Sequence, residues 1–91
     1  MEPKAKIEIV TYLPNGAFSL DDVRRRLDPH GVTLDLPDGE LRFVPDDPTF
    51  PTTVFTRTRR IELHLQSSES PRLDEYIKEL SAWLQLGFER A

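Results

Sequence analysis

The chain has 91 residues, a net charge of −4 at pH 7 and no cysteine. This length predicts one domain with a small core, and the lack of cysteine excludes stabilisation by disulfides or cysteine-bound zinc. The negative charge argues against coating of nucleic acid, because that mode of binding needs many cationic contacts to phosphate. No apolar run approaches the ~20 residues of a membrane helix, so we expect a cytoplasmic protein that does not bind membranes.

Alternating apolar residues predict a first strand over Lys4–Leu13, in which Ile7 and Ile9 share one face and Val10 and Tyr12 share the other. The first helix is predicted over Ser19–Asp28. Ser19 is a favourable N-cap there, and the apolar residues of this segment recur at helical spacing. Because this helix connects the first two strands, those strands can be parallel neighbours.

A hairpin follows the first helix. Val32–Leu36 alternates as a second strand, Pro37-Asp38-Gly39 is a strong turn sequence, and Leu41 and Phe43 share a face of the third strand. The segment Pro45–Thr53 holds three prolines and is predicted to be a loop.

Val54–Gln66 is predicted to be the fourth strand, although its two halves conflict. Ile61, Leu63 and Leu65 form an apolar face, and an unbroken alternation would place Arg57 and Arg59 on that same face. Burial of unpaired arginine is costly. We therefore expect either a bulge near Arg59 and Arg60 or a first half that projects beyond the core. Both alternatives expose Arg57, Arg59 and Arg60 together.

The last helix is predicted over Pro71–Phe88, with Ser70 as its cap and proline in its first turn. The complete order is β-α-β-β-β-α. This order predicts a single α+β domain over residues 1–91, with an antiparallel-rich sheet and two helices packed on one face.

The arginine cluster is the first candidate binding site. Guanidinium groups match phosphate and carboxylate geometry, so Arg57, Arg59 and Arg60, together with His64 further along the strand, suggest an anionic ligand or nucleic acid as a partner. The alternative is a solvated strand face paired with acids such as Asp46, Asp47 or Glu62.

Enzymatic signatures are weak. The row of Arg60, Glu62 and His64 on one strand face is a common solvent-facing pattern, and no nucleophile elbow or phosphate-binding glycine loop occurs. His30 lies in a turn, and two histidines without ligand spacing do not predict a metal site. We therefore expect a non-enzymatic protein without a cofactor.

The last helix is the second candidate site. Tyr76 and Trp83 widen its apolar stripe and Phe88 extends it, which indicates either core packing or an interface. The favoured hypothesis is a protein-interaction module that forms a homodimer, through this helix or through an edge strand, or binds another protein. A small acidic inhibitor that uses Asp46, Asp47 and the acid-rich last helix is a further alternative.

Overall fold

The computed structural model describes residues 7–91, which contain two α-helices and six β-strands. Their bounds are β1 Ile7–Pro14, α1 Leu20–Leu27, β2 Gly31–Asp35, β3 Leu41–Pro45, β4 Thr52–Phe55, β5 Ile61–Gln66, α2 Leu73–Leu84 and β6 Phe88–Arg90. Single 3₁₀ turns at Asp28–His30 and Ser70–Arg72 adjoin the helices. The predicted start of the first strand, residues 4–6, lies outside the described residues.

The strands form one antiparallel sheet in the order β2-β3-β4-β5-β1-β6. Four antiparallel steps separate β2 from β1, so these two strands run in the same direction without touching. The expectation that they can be neighbours is wrong, because β5 and β6 occupy the two edges of β1. The connection through α1 instead leads from β1, near one edge of the sheet, to β2 at the opposite edge.

Both helices cover one face of the sheet, and the core lies between the two layers. The sheet contributes alternate residues to this core: Val10, Tyr12, Leu41, Phe43, Phe55, Ile61, Leu63 and Leu65. The helices contribute Val23, Leu27, Tyr76, Leu80 and Leu84. The predicted α+β class, with an antiparallel sheet and two helices on one face, is confirmed. The opposite face of the sheet carries no helix among the described residues, and we call it the open face.

Helix α1 begins where its capping sequence predicts. The backbone N–H of Asp22 donates to Oγ of Ser19 at 3.1 Å, which satisfies one of the amide groups at the helix start. Val23 and Leu27 form its buried stripe. The apolar stripe of this short segment therefore faces the sheet.

The predicted fourth strand is in fact a hairpin. β4 ends at Phe55, β5 begins at Ile61, and the two strands pair with each other. Arg59 has a left-handed backbone conformation (φ 62), and the N–H of Thr56 donates to the carbonyl of Arg60 at 2.9 Å across the turn. The chain therefore reverses between β4 and β5, and neither the predicted bulge within one strand nor the projecting ribbon describes this segment. β4 begins at Thr52, inside the predicted loop.

The predicted last helix is too long. Its α-helical part ends at Leu84 because Gln85 adopts the left-handed conformation (φ 54). Ser81 stabilises this end, since its carbonyl accepts the N–H of Leu86 at 3.1 Å and its hydroxyl donates to the carbonyl of Leu86 at 2.8 Å. The chain then continues as β6, which pairs with β1 and places Phe88 opposite Pro14.

Candidate functional site

The open face holds every large exposed apolar side chain among the described residues. These side chains are 40–61% exposed: Ile7, Ile9 and Leu13 on β1, Val32 and Leu34 on β2, and Val44 on β3. Each alternates with a residue that points toward the helices, so all project from the same side of the sheet. A patch concentrated on one face differs from the scattered apolar residues of an ordinary surface.

Strand register arranges this face as two apolar flanks around a polar centre. One complete row crosses five strands through the pairs Leu34–Arg42, Arg42–Val54, Val54–Glu62 and Glu62–Thr11. The neighbouring row contains the pairs Val32–Val44, Thr52–His64 and His64–Ile9. The exposed apolar residues therefore lie over β1, over β2 and at one end of β3. The charged and polar residues Arg42, Thr52, Glu62 and His64 lie between them, beside the buried Val54.

Glu62 and His64 form the centre of the open face. Nε2 of His64 lies 3.5 Å from Oε1 of Glu62, and this nitrogen is shielded from solvent without a hydrogen-bond partner among the described residues. Buried nitrogen atoms normally have a partner. The centre of the face is therefore incompletely satisfied in the isolated chain.

A groove of about 460 Å³ indents one end of the open face. Its sheet side is formed by Arg42, Val44, Thr52 and His64, and the loop between β3 and β4 supplies the opposite wall. The loop is fixed from the helix side, because Phe50 is buried. The groove is of the size that accepts a side chain or small ligand.

The loop wall is also fixed by hydrogen bonds. The carboxylate of Asp47 accepts from the N–H of Thr49 at 2.9 Å and from its hydroxyl at 2.7 Å. These bonds hold the pKa of Asp47 below its ordinary value. The hydroxyl of Tyr76 in α2 donates to the carbonyl of Thr49 at 2.8 Å. The hydrogen bonds of Asp47 therefore stabilise the loop itself. Among residues 7–91, no arginine forms an ion pair with Asp47 within 4.0 Å.

The structure places Arg57, Arg59 and Arg60 at the tip of the hairpin between β4 and β5, and all three are exposed. Within the described part of the chain, none of them lies within 4.0 Å of a carboxylate. The expected pairing with Asp46, Asp47 or Glu62 is therefore not seen.

Acidic residues nevertheless adjoin the arginine tip. The side chain of Arg57 lies against Gly39 in the neighbouring turn. Beside it, the pKa of Glu40 is raised, mainly by desolvation and then by the carboxylate of Asp38, and the charge of Arg57 opposes this shift. These acids reduce the positive potential of the tip. His64 lies four residues along the chain from Arg60, about 13 Å away in an extended strand, so it belongs to the open face and not to the arginine tip.

The aromatic residues of the last helix serve the core. Tyr76 is 2% exposed, and its ring contacts Phe50 with centroids 5.0 Å apart. Trp83 is half-buried and stacks on His30 at 4.3 Å. A second chain cannot reach Tyr76 without unfolding the monomer. Of the predicted interface residues, Phe88 lies apart from these contacts, half-buried on β6.

The two histidines lie on opposite sides of the sheet. His30 packs against Trp83 on the helix side, whereas His64 lies on the open face, and residues 7–91 hold no group of three metal-ligating side chains. No helix in this range is long and apolar enough to cross a membrane.

Comparison with protein-family models, with curated proteins and with solved structures finds no match to this chain. We therefore infer function from the geometry of the open face. A signal for this face exists in the sequence: Ile7 and Ile9 alternate with Val10 and Tyr12, so both faces of β1 are apolar. Apolar residues on both faces are typical of a strand that is covered on both sides.

Proposed function

We propose that the protein is a non-enzymatic interaction module that associates with a second copy of itself, open face against open face. The observation that carries this proposal is the concentration of all large exposed apolar side chains of the described residues on the side of the sheet opposite the helices. Two sheets pack face to face about 10 Å apart in β-sandwiches, with side chains from both inner faces forming the core.

A second copy is the occupant that suits the layout of the face. A two-fold axis that lies between two such faces brings apolar flanks onto apolar flanks, whether the axis runs along or across the strands. The polar centres then meet each other. There, the cationic Arg42 of one copy and the anionic Glu62 of the other attract each other. This attraction favours one relative position of the two faces over others.

The available area also fits a dimer. Six strands spaced by about 4.8 Å, each roughly 17 Å long, give a projected area of roughly 500 Å². The accessible area of a corrugated sheet exceeds its projection, so the face approaches the ~800 Å² per partner of a standard interface.

Matched lysine substitutions test this proposal. Ile9 is 55% exposed and lies on the open face, so Ile9→Lys places a charge in the interface without disturbing the core. Ala82→Lys adds the same charge at an exposed position of α2. We expect Ile9→Lys to weaken the dimer about tenfold or more, because burial of an unpaired charge is costly, and Ala82→Lys to leave it intact. Light scattering across a concentration series measures both; equal behaviour of the two variants would refute the proposal.

A second candidate function is the binding of an anionic ligand or nucleic acid by the hairpin tip. The observation in its favour is that Arg59 occupies a left-handed position at which glycine is preferred, and that all three arginines are exposed. Neutralisation of Arg57, Arg59 and Arg60 to glutamine would then abolish a binding that weakens steeply with salt. The acidic turn of Asp38 and Glu40 beside Arg57 makes this candidate the weaker one.

A further inference from the structure

Strand β2 has one paired edge and one free edge. It is the terminal strand of the sheet and pairs with β3 on one side. The N–H of Leu36 donates to the carbonyl of Glu40 at 2.8 Å, and the N–H of Asp46 donates to the carbonyl of His30 at 3.0 Å. Because hydrogen-bonded pairs alternate along an antiparallel ladder, the even-numbered residues from 30 to 36 bond to β3. The backbone groups of Gly31, Thr33 and Asp35 therefore point away from the sheet.

This free edge lacks the usual protection. β2 contains no proline or lysine and pairs with β3 without a bulge, and its one charged residue, Asp35, lies at its end. Proline, charged side chains and bulges are the common devices that prevent edge pairing. Among the described residues, no hydrogen bond engages the outward backbone groups of Gly31, Thr33 or Asp35. Asp35 is tied to Arg24 of α1 through its side chain alone. The edge thus offers three N–H donors and three carbonyl acceptors.

We infer that β2 pairs with β2 of a second copy, antiparallel and centred on Thr33. In this register Thr33 faces the partner's Thr33, and Gly31 faces the partner's Asp35. All the outward backbone groups of both strands are then satisfied in about six hydrogen bonds. A shift by one step of the ladder toward the N-terminus engages Pro29, which has no N–H to donate. The centred register is therefore the one that uses the edge fully.

Side chains agree with the same register. Residues that face each other across the new pair include Val32 and the partner's Leu34, and both project from the open face. They are 54% and 46% exposed in the single chain. Directly opposed apolar side chains stabilise antiparallel pairs. The strand is self-complementary in its backbone groups and in its apolar residues, which is the requirement of a two-fold contact.

This edge contact goes beyond the proposed contact of open faces. Two edge-paired chains form one continuous sheet of twelve strands, with both open faces on the same side. A face contact between two such sheets joins four chains. The edge contact buries only a pair of five-residue strands, so it is the weaker of the two and appears at higher protein concentration.

Single cysteines test the register, because the natural chain has no cysteine. In the proposed pair the two Cα atoms of residue 33 are about 5.5 Å apart, whereas those of residue 35 are about 15 Å apart. A disulfide requires a Cα separation below about 7 Å. We expect oxidised Thr33→Cys to give a covalent dimer with a yield about fivefold or more above that of the matched control Asp35→Cys. Equal yields, a higher yield for Asp35→Cys, or no dimer from either variant would overturn the inference.

Two further variants separate this inference from the face contact. Adding Ile9→Lys to Thr33→Cys disrupts the open face and leaves the edge unchanged, so the disulfide yield decides the edge contact even if the face contact proves wrong. Thr33→Pro removes an outward N–H without removing a hydrogen bond to β3, since proline is tolerated at a free edge. We expect it to limit the assembly to two chains while the wild type reaches four. A wild type that stops at two chains, or a Thr33→Pro variant that still reaches four, would contradict the edge contact.

Discussion

Trp83 and His30 lie flat against each other, with ring centroids 4.3 Å apart and an angle of 12° between their planes. The indole also meets Phe43 edge-on, at a centroid distance of 6.2 Å. These contacts join the end of α2 to the segment before β2 and to the centre of β3. These contacts show that Trp83, on the apolar stripe of α2, packs within the fold.

We predict that Trp83→Ala lowers the free energy of unfolding by about 2–4 kcal/mol, because it removes a large, half-buried ring from the core. His30→Ala should cost about 1 kcal/mol through loss of the stacked pair. Urea denaturation measures both values. The folded fraction of each variant should still self-associate. Loss of association in Trp83→Ala at unchanged stability would restore the helix as the interface.

Gly31→Ala should destabilise the chain by about 1–3 kcal/mol, since overpacking forces backbone shifts. A Cβ at this position would lie 2.4 Å from the carbonyl oxygen of Val44 and 2.8 Å from Cα of Pro45. Gly16→Ala is the matched control, because its Cβ would meet only the end of the Leu86 side chain, at 3.3 Å. Denaturation of both variants checks this prediction; a Gly31→Ala protein as stable as the control would show that β2 does not approach β3 this closely.

Arg59→Gly should stabilise the hairpin by about 1 kcal/mol, because glycine adopts the left-handed conformation without the steric cost that an L-residue bears. The φ of Arg59 is 62, whereas Arg57 is not among the residues with positive φ. Arg57→Gly therefore serves as the control and should give no gain. Thermal denaturation compares the two variants, and equal effects would mean that the turn differs from the one described.

Tyr76→Phe tests the bond between α2 and the loop after β3. Loss of the hydrogen bond to the carbonyl of Thr49 should cost about 1 kcal/mol at neutral pH. Burial raises the pKa of Tyr76 above its usual value of 10.0, so its contribution is complete below that value and is lost as pH rises through the folded-state pKa. The stability difference between wild type and Tyr76→Phe should shrink above about pH 10. A difference that stays constant up to pH 11 would contradict burial of the phenol.

Local patterns in the sequence predict the order of most elements, because caps, alternation and turn residues act over a few positions. Ser19 begins α1 as its side chain predicts, and Pro37-Asp38-Gly39 reverses the chain between β2 and β3. The hairpin between β4 and β5 is not predicted by these patterns. Its left-handed position holds Arg59, whereas glycine or asparagine is the usual signal of this turn. The end of α2 is not predicted for the same reason, because its left-handed position holds Gln85.

The candidate site is harder to predict because it depends on strand order. Ile9 and Val44 lie on β1 and β3, which are distant in the chain, and they share the open face because β4 and β5 join those strands into one sheet in this register. Arg57, Arg59 and Arg60 lie within four consecutive positions, so they stand out in the sequence. A patch assembled from three separate strands leaves no single local pattern there.

Paramagnetic relaxation of methyl resonances by a soluble agent tests the contact of open faces most directly. At high dilution, the methyl groups of Ile9, Val32 and Val44 should relax strongly, as their exposure of 40–55% implies, while the buried Val10 should not. With rising protein concentration, the three open-face residues should become protected together, and exposed Ala82 should stay accessible. Unchanged relaxation of Ile9, Val32 and Val44 at every concentration would contradict the proposed function.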